Sequence, residues 1–329
     1  TTNSLSTIGN NQPTPLNEIS LDFPTNLLVY ITTRTYLLTM SVPALKEFMA
    51  TAPVPKPPQI PDPSGSTPLT HHEWRTASNS ATHLLKALHA LRDARPDVKL
   101  LDVGCGSGSI TATLALEIPQ GLVTGVDKDP EILKRAELVA RSWEAENVTF
   151  QTGDASKLPF PDNSFDIVHC HQVLTWQKEP WVALAEMLRV TKPGGIVSAR
   201  EGDFRTEAVW PETEGLKKFH DFTEKLMKTS GGHSDGGRQL LGWALKAGAK
   251  REDMRVTWGS WGYSSTEEKK AWSDGMVGML QGGRLRGMAL KMGLATEDDL
   301  DIMIKAWNEW FQSEEATLSM MSGEILIQK

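Results

Sequence analysis

Residues 99–127 read KLLDVGCGSGSITATLALEIPQGLVTGVD. The apolar run at 100–103 has the length of a short buried strand and enters a glycine-rich turn. Residues 110–117 then read as a helix, and 122–126 as a second strand that ends on Asp127. This is half of a doubly wound unit. Gly104 and Gly106 permit a tight turn and close ligand approach, and Gly108 lets the helix start near the strand. Asp127 follows Gly104 by 23 residues, the place for a carboxylate that accepts bonds from a ribose diol.

The spacing is not that of a dinucleotide fingerprint. Asp102 stands in the strand before the turn, and Cys105 and Ser107 separate the glycines. No GxxxxGK[ST] run is present, which argues against a nucleoside triphosphate cradle. LDVGCGSGS at 101–109 resembles motif I of class I S-adenosylmethionine-dependent methyltransferases. GVD at 125–127 is similar to their ribose-binding strand end. GDASKLPFPDNSFDIVH at 153–169 and RVTKPGG at 189–195 resemble later motifs in the same order. The likeness is strongest to the UbiE-like small-molecule branch and covers residues 70–329. It implies S-adenosylmethionine as cofactor and an α/β fold with a seven-stranded Rossmann-like sheet. It also implies cofactor contacts at Asp102, Gly104, Cys105, Gly106, Asp127 and Lys128.

Composition narrows the class. An apolar content of 39% with dispersed charge fits a soluble globular protein, read here as cytoplasmic. The net charge is −7 without a basic block, so no nucleic-acid partner is expected. Cys105 and Cys170 fall on or beside core strands, so neither a disulfide framework nor a metal site is expected. Seven of the eleven tryptophans lie beyond Gly202, which predicts an aromatic pocket in the second half.

Residues 1–69 read as an irregular N-terminal arm of proline-rich character. Residues 27–40 hold Arg34 and four threonines and are too short and polar to span a membrane. They also make a poor leader peptide, because polar residues precede them and no clear cleavage site follows. HHEWRTASNSATHLLKALHAL at 71–91 carries a helical apolar face at Ala81, Leu84, Leu85, Leu88 and Leu91. Trp74 and Arg75 read either as lid packing with a surface charge or, by the resemblance, as part of the cofactor site. In that second reading Arg75 approaches the methionine carboxylate.

A third strand is predicted at 148–151, followed by Asp154 and Ala155. The resemblance gives these two the adenine edge, while a turn aspartate that bonds its own backbone is the alternative. A fourth strand at 165–170 leads to His171 and Gln172 at the carboxyl edge, where open sheets hold ligands. His171 is the general-base candidate by position and by an ordinary pKa that suits proton removal near neutrality. Its other reading is a contact to cofactor or loop. Trp176 stands where the resembling proteins more often carry a second histidine, and it offers a flat surface to an aromatic substrate. Glu201 reads as a substrate contact or a surface cap. His233 and Arg238, around GGHSDGG, read as pocket residues or as a turn histidine and a surface arginine.

The late strands are predicted at 254–258 and 324–328, with helices at 266–280, 284–292 and 297–315 between them. The chain therefore divides into an arm at 1–69, a cofactor-binding core at 70–258, a helical cap at 259–320 and a final strand at 321–329. The cap, with Trp261, Trp272 and Trp307, is expected to enclose a hydrophobic small-molecule substrate. The expected activity is methyl transfer to an O, N, S or C atom of such a molecule, in secondary metabolism. A cofactor-retaining enzyme of a non-transfer reaction and a noncatalytic cofactor-binding partner are the alternatives. A homo-oligomer is allowed by the sequence but not required.

Overall fold

The computed structural model describes residues 70–329. The readings made above for residues 1–69 lie outside the described residues. Eight strands form one mixed sheet: β1 (Lys99–Val103), β2 (Leu122–Asp127), β3 (Val148–Thr152), β4 (Phe165–His171), β5 (Thr191–Gly202), β6 (Ala208–Trp210), β7 (Met254–Tyr263) and β8 (Thr317–Gln328). Their order is β3-β2-β1-β4-β5-β8-β6, with β7 paired to β8. The pairs among β1 to β5 are parallel, and every pair to β8 is antiparallel.

The first half folds as its apolar runs require. All seven residues of β4 are buried, as expected of a strand covered on both faces. Neighbours in the chain supply opposite layers. Leu100, Val123 and Ile167 pack with α3 (Thr82–Ala94) and α4 (Ser109–Glu117) through Leu84, Leu88, Leu114 and Ile118. Leu101 and Val168 pack with α6 (Pro180–Val190) and α8 (Gly236–Lys246) through Leu184, Met187 and Leu240. Two short helices, α1 (Thr70–Glu73) and α2 (Ala77–Ser80), precede α3. Between β2 and β3 lies α5 (Pro130–Ser142), with Pro130 in its first turn and Asp129 accepting from the Glu131 amide. Asp166 has the structural role its place in the strand suggests: it accepts from the Lys99 amide at 2.8 Å and pairs with Lys192 and Arg95.

The sheet has eight strands where seven were expected. Beyond the end of β5, the three-residue β6 pairs with Leu318 and its neighbours on the same edge of β8 that β5 uses. The last two strands are also longer than predicted. β7 continues to Tyr263 instead of stopping at 258, and β8 begins at Thr317 instead of 324. In β8 the buried residues Leu318, Met320 and Ser322 alternate with exposed ones. Serines on both faces blunt that alternation in the sequence.

A separate apolar cluster lies over the second half. It joins α7 (Glu214–Thr229), α9 (Thr266–Gln281), α10 (Gly283–Lys291) and α11 (Glu297–Gln312) around the fully buried Trp307. Ser265 with Glu268, and Thr296 with Asp299, form capping boxes that fix the starts of α9 and α11.

Candidate active site

The glycine turn sits between β1 and α4, and its three glycines differ in surroundings. Gly104, Gly106 and Gly108 all have positive φ. A Cβ on Gly104 would lie 2.4 Å from Val173, and one on Gly108 would lie 2.8 Å from Ala136. A Cβ on Gly106 would meet nothing within 4 Å. Gly104 and Gly108 are therefore set by packing, and Gly106 alone is open. Asp127 fastens the turn, its carboxylate accepting from the Gly106 amide at 3.0 Å and the Asp129 amide at 3.1 Å. Asp102 is buried below, with Thr111 donating to it at 2.6 Å. Burial pushes the Asp102 carboxyl up to about 7 in spite of that hydrogen bond, and the charge of Asp127 adds to the rise.

Next to the turn is a group of cationic and imidazole side chains. The Arg75 and Arg200 guanidinia lie over the Trp261 ring at 4.9 and 5.4 Å, and the His171 ring is 5.7 Å from it. The Arg75 Nε, His171 Nε2 and Gln172 Nε2 atoms are buried without hydrogen-bond partners among the described residues. Gln172 also has φ +54°, a left-handed backbone that a glutamine rarely adopts, at the tip of β4. The expectation that His171 titrates near neutrality is not met. Burial, followed by the charges of Arg75 and Arg200, holds its pKa well below the usual range. The ring is neutral at physiological pH and is a weak base.

These residues open on a cavity of about 1170 Å³. Its first part is walled by Arg75, Asp102, Gly104, Cys105, Gly106, Lys128, His171 and Gln172, which the structure brings together on one side. Trp176 also lines it, half exposed, with its ring 6.5 Å from that of Phe204. Much of the remaining wall comes from Phe204, Arg205 and Glu207 after β5, from α7, and from Trp272, Met276, Met279, Leu285, Met288 and Met292. The expected aromatic pocket has Trp176, Phe204, Phe219 and Trp272 on its wall, with four methionines beside them. Trp307 and Trp310 are buried in the helical cluster, and Trp261 braces the arginines.

Several predicted residues are placed elsewhere. Glu201 is fully buried, and its carboxylate accepts from the amides of Val173, Leu174 and Thr175 at 2.9–3.1 Å. It holds the loop after β4 and is not a substrate contact. Burial raises its pKa to about 7 against those three bonds. Arg238 makes a two-pronged pair with Asp203 at 2.5 and 2.7 Å and does not line the cavity. His233 packs its ring 5.1 Å from Trp243 and also lies off the cavity wall. Neither is a pocket residue here. Asp154 is exposed and accepts from the amide and hydroxyl of Ser156. Trp74, Asp127 and Ala155 are likewise not part of the wall.

Sequence reasoning missed Glu207, His220, Asp221, Thr223 and Glu224, all on the wall. For the four on α7 the available signal was polar residues set among the buried apolar positions of an amphipathic helix, Phe219, Phe222 and Leu226, and Glu207, before β6, had none.

Comparison with known proteins gives the family. Residues 94–259 match the family described as a methyltransferase domain. A Schizosaccharomyces pombe protein named as an uncharacterized methyltransferase is 32% identical over 272 residues, which cover 78% of this chain and 92% of that protein. Demethylmenaquinone methyltransferase of Staphylococcus aureus is 41% identical over 123 residues, 37% of this chain and 50% of that enzyme. Among solved structures, the YcgJ protein of Bacillus subtilis has a TM-score of 0.47 at 18% identity, covering 75% of this chain and 98% of its own. The chain belongs to the methyltransferase domain family and is an S-adenosylmethionine-dependent methyltransferase.

Proposed function

We propose that this chain methylates an O, N, S or C atom of a hydrophobic small molecule of secondary metabolism, in the cytoplasm. The observation that carries the reading is one cavity with two chemically distinct ends. The glycine turn with Asp102 forms one end, and at the other methionine, phenylalanine, tryptophan and leucine side chains are interleaved with polar ones. Methionine is flexible and polarisable, so such a wall adapts to irregular apolar ligands. In this reading the helices within residues 259–320 set acceptor choice.

The turn end fits the cofactor. Gly106 leaves open the space a side chain would fill, and buried donors on Arg75 and Gln172 lack partners. Gly106 and Ser107 would meet the nucleoside side and Asp127, which holds the Gly106 amide, the ribose, while Asp154 and Ala155 stand just outside the wall where the adenine edge would emerge. Arg75 would take the carboxylate of the methionyl part, and Asp102 its positive end. The bound cofactor supplies an activated methyl group, so the remaining work is positioning and exclusion of water. Neutral His171 and Gln172 hold the boundary between the two ends. Trp176 covers the opening beside Phe204.

The test is incubation of purified protein with methyl-labelled S-adenosylmethionine and an apolar metabolite extract. Label is expected in a small organic-soluble product, with S-adenosylhomocysteine formed in equal amount. Label confined to protein or nucleic acid would overturn the proposal, and so would conversion of a metabolite without label transfer.

A further inference from the structure

One charged pair on the cavity wall has no part in the cofactor end. His220 lies on α7 and Glu207 in the segment between β5 and β6. Their side chains meet at 2.7 Å between Nε2 and Oε1. Glu207 is the more enclosed partner, with 7% of its side chain exposed against 28% for His220. Both residues line the same cavity as the glycine turn. One helical turn on, Thr223 lines it too, and its buried hydroxyl has no hydrogen-bond partner among the described residues. The Phe219 ring lies 6.1 Å from that of His220, and Phe219, Leu226 and Met276 line the same cavity.

We propose that His220, oriented by Glu207, is the proton acceptor of the transfer and that the methyl acceptor is a phenolic hydroxyl on an apolar body. The proposal rests on the small-molecule reading given above. Glu207 accepts the Nε2 proton and so leaves the lone pair on Nδ1, the arrangement that makes an imidazole a directed base. An amine acceptor arrives neutral and needs no base to attack, whereas a hydroxyl must lose its proton. A phenol ionises near 10, close enough to an imidazole for the transfer to be useful. The Thr223 hydroxyl supplies a second hydrogen bond to the acceptor oxygen.

The step balances. As the phenol oxygen attacks the methyl carbon, its proton passes to Nδ1 of His220 and the new O–CH₃ bond forms. The carbon–sulfur bond breaks with its electron pair retained on sulfur, which leaves neutral S-adenosylhomocysteine. The imidazolium, paired with Glu207, then returns its proton to solvent.

The charged surroundings suit this role better than those of His171. Burial alone disfavours a charged His220 ring, but the hydrogen bond and charge of Glu207, with Glu212 and Asp221, raise its pKa above the ordinary value. Arg205 and Glu224 are the other charged groups nearby in sequence on that wall. The base form is therefore gained as pH rises through a value above 6.5.

The experiment uses the full chain, with 2-naphthol as probe and 2-naphthylamine as its amine counterpart. In protein saturated with S-adenosylhomocysteine, 2-naphthol is expected to shift the His220 imidazole resonance, which is assigned by its loss in His220→Gln. With labelled S-adenosylmethionine, 2-naphthol should give its methyl ether. His220→Gln should lower that kcat by 10²- to 10⁴-fold and remove the ascending limb of the pH–rate profile. Glu207→Gln should move the limb to lower pH, and Thr223→Val should raise KM. S-adenosylhomocysteine affinity, measured by calorimetry, should stay within twofold in all three variants and shows that they are folded. An unshifted His220 resonance, normal turnover in His220→Gln, or preferred methylation of 2-naphthylamine would each overturn the proposal. Failure of the wild-type protein to bind S-adenosylhomocysteine would instead strike the underlying methyltransferase reading.

Discussion

Gly106 and Gly104 make opposite demands although both have positive φ. Gly106→Val adds atoms only to open space, so its stability cost is that of the left-handed backbone, about 2 kcal/mol. Its affinity for S-adenosylhomocysteine should nevertheless fall by tenfold or more in calorimetry. Gly104→Val drives atoms into Val173 and should chiefly lower the urea midpoint. Asp102 gives a pH prediction. Its folded pKa of about 7 lies above the ordinary 3.8, so the native state keeps a proton that the unfolded chain has lost. The stability tied to this group is full below the ordinary value and is lost as pH rises through about 7. Asp102→Asn should flatten that fall, measured as urea unfolding at several pH values. His171→Asn should lower turnover yet leave the shape of the pH–rate profile unchanged, because the neutral ring has no titration to lose in that range. An altered profile would return His171 to the role of base.

At the scale of elements, Glu201 joins β5 to the loop after β4 through three backbone amides. Glu201→Ala leaves those amides without their acceptor and should cost about 3 kcal/mol or more in urea unfolding. Glu201→Gln should recover part of it. This bond set also shows where sequence reading stops. β1 and β4 were legible because parallel strands buried on both faces leave nearly continuous apolar runs, β2 and β3 follow at the spacing of a doubly wound unit, and the glycine turn marks its own position. That a carboxylate at a strand tip turns inward to amides 26–28 residues away leaves no pattern in the chain. β6 escaped for a related reason: three residues carry too little periodicity to announce a strand. His220 and Glu207 stand 13 residues apart without a motif, and only the fold makes them partners.

Across the whole described region, the cavity unites two cores of different origin. The sheet layers supply the turn end, and the helical cluster supplies the methionines. Met276 and Met279, or Met288 and Met292, recur at helical spacing, so by sequence they cannot be told from ordinary core. Met276→Ala and Met288→Ala should each weaken binding of an apolar acceptor by about tenfold, the worth of a well-buried side chain, with S-adenosylhomocysteine affinity nearly unchanged. Equal losses for both ligands would point to collapse of the helical cluster. Trp261 gives this assembly a property of another kind. Its indole carries two guanidinium groups over one ring, and one of them, Arg75, is on the cavity wall. An anionic group arriving at Arg75 changes the electric field on that indole, and with it the colour of its fluorescence. The enzyme thus contains its own optical gauge of occupancy, and the part of a ligand-induced emission shift that disappears in Trp261→Phe reads the state of Arg75 directly.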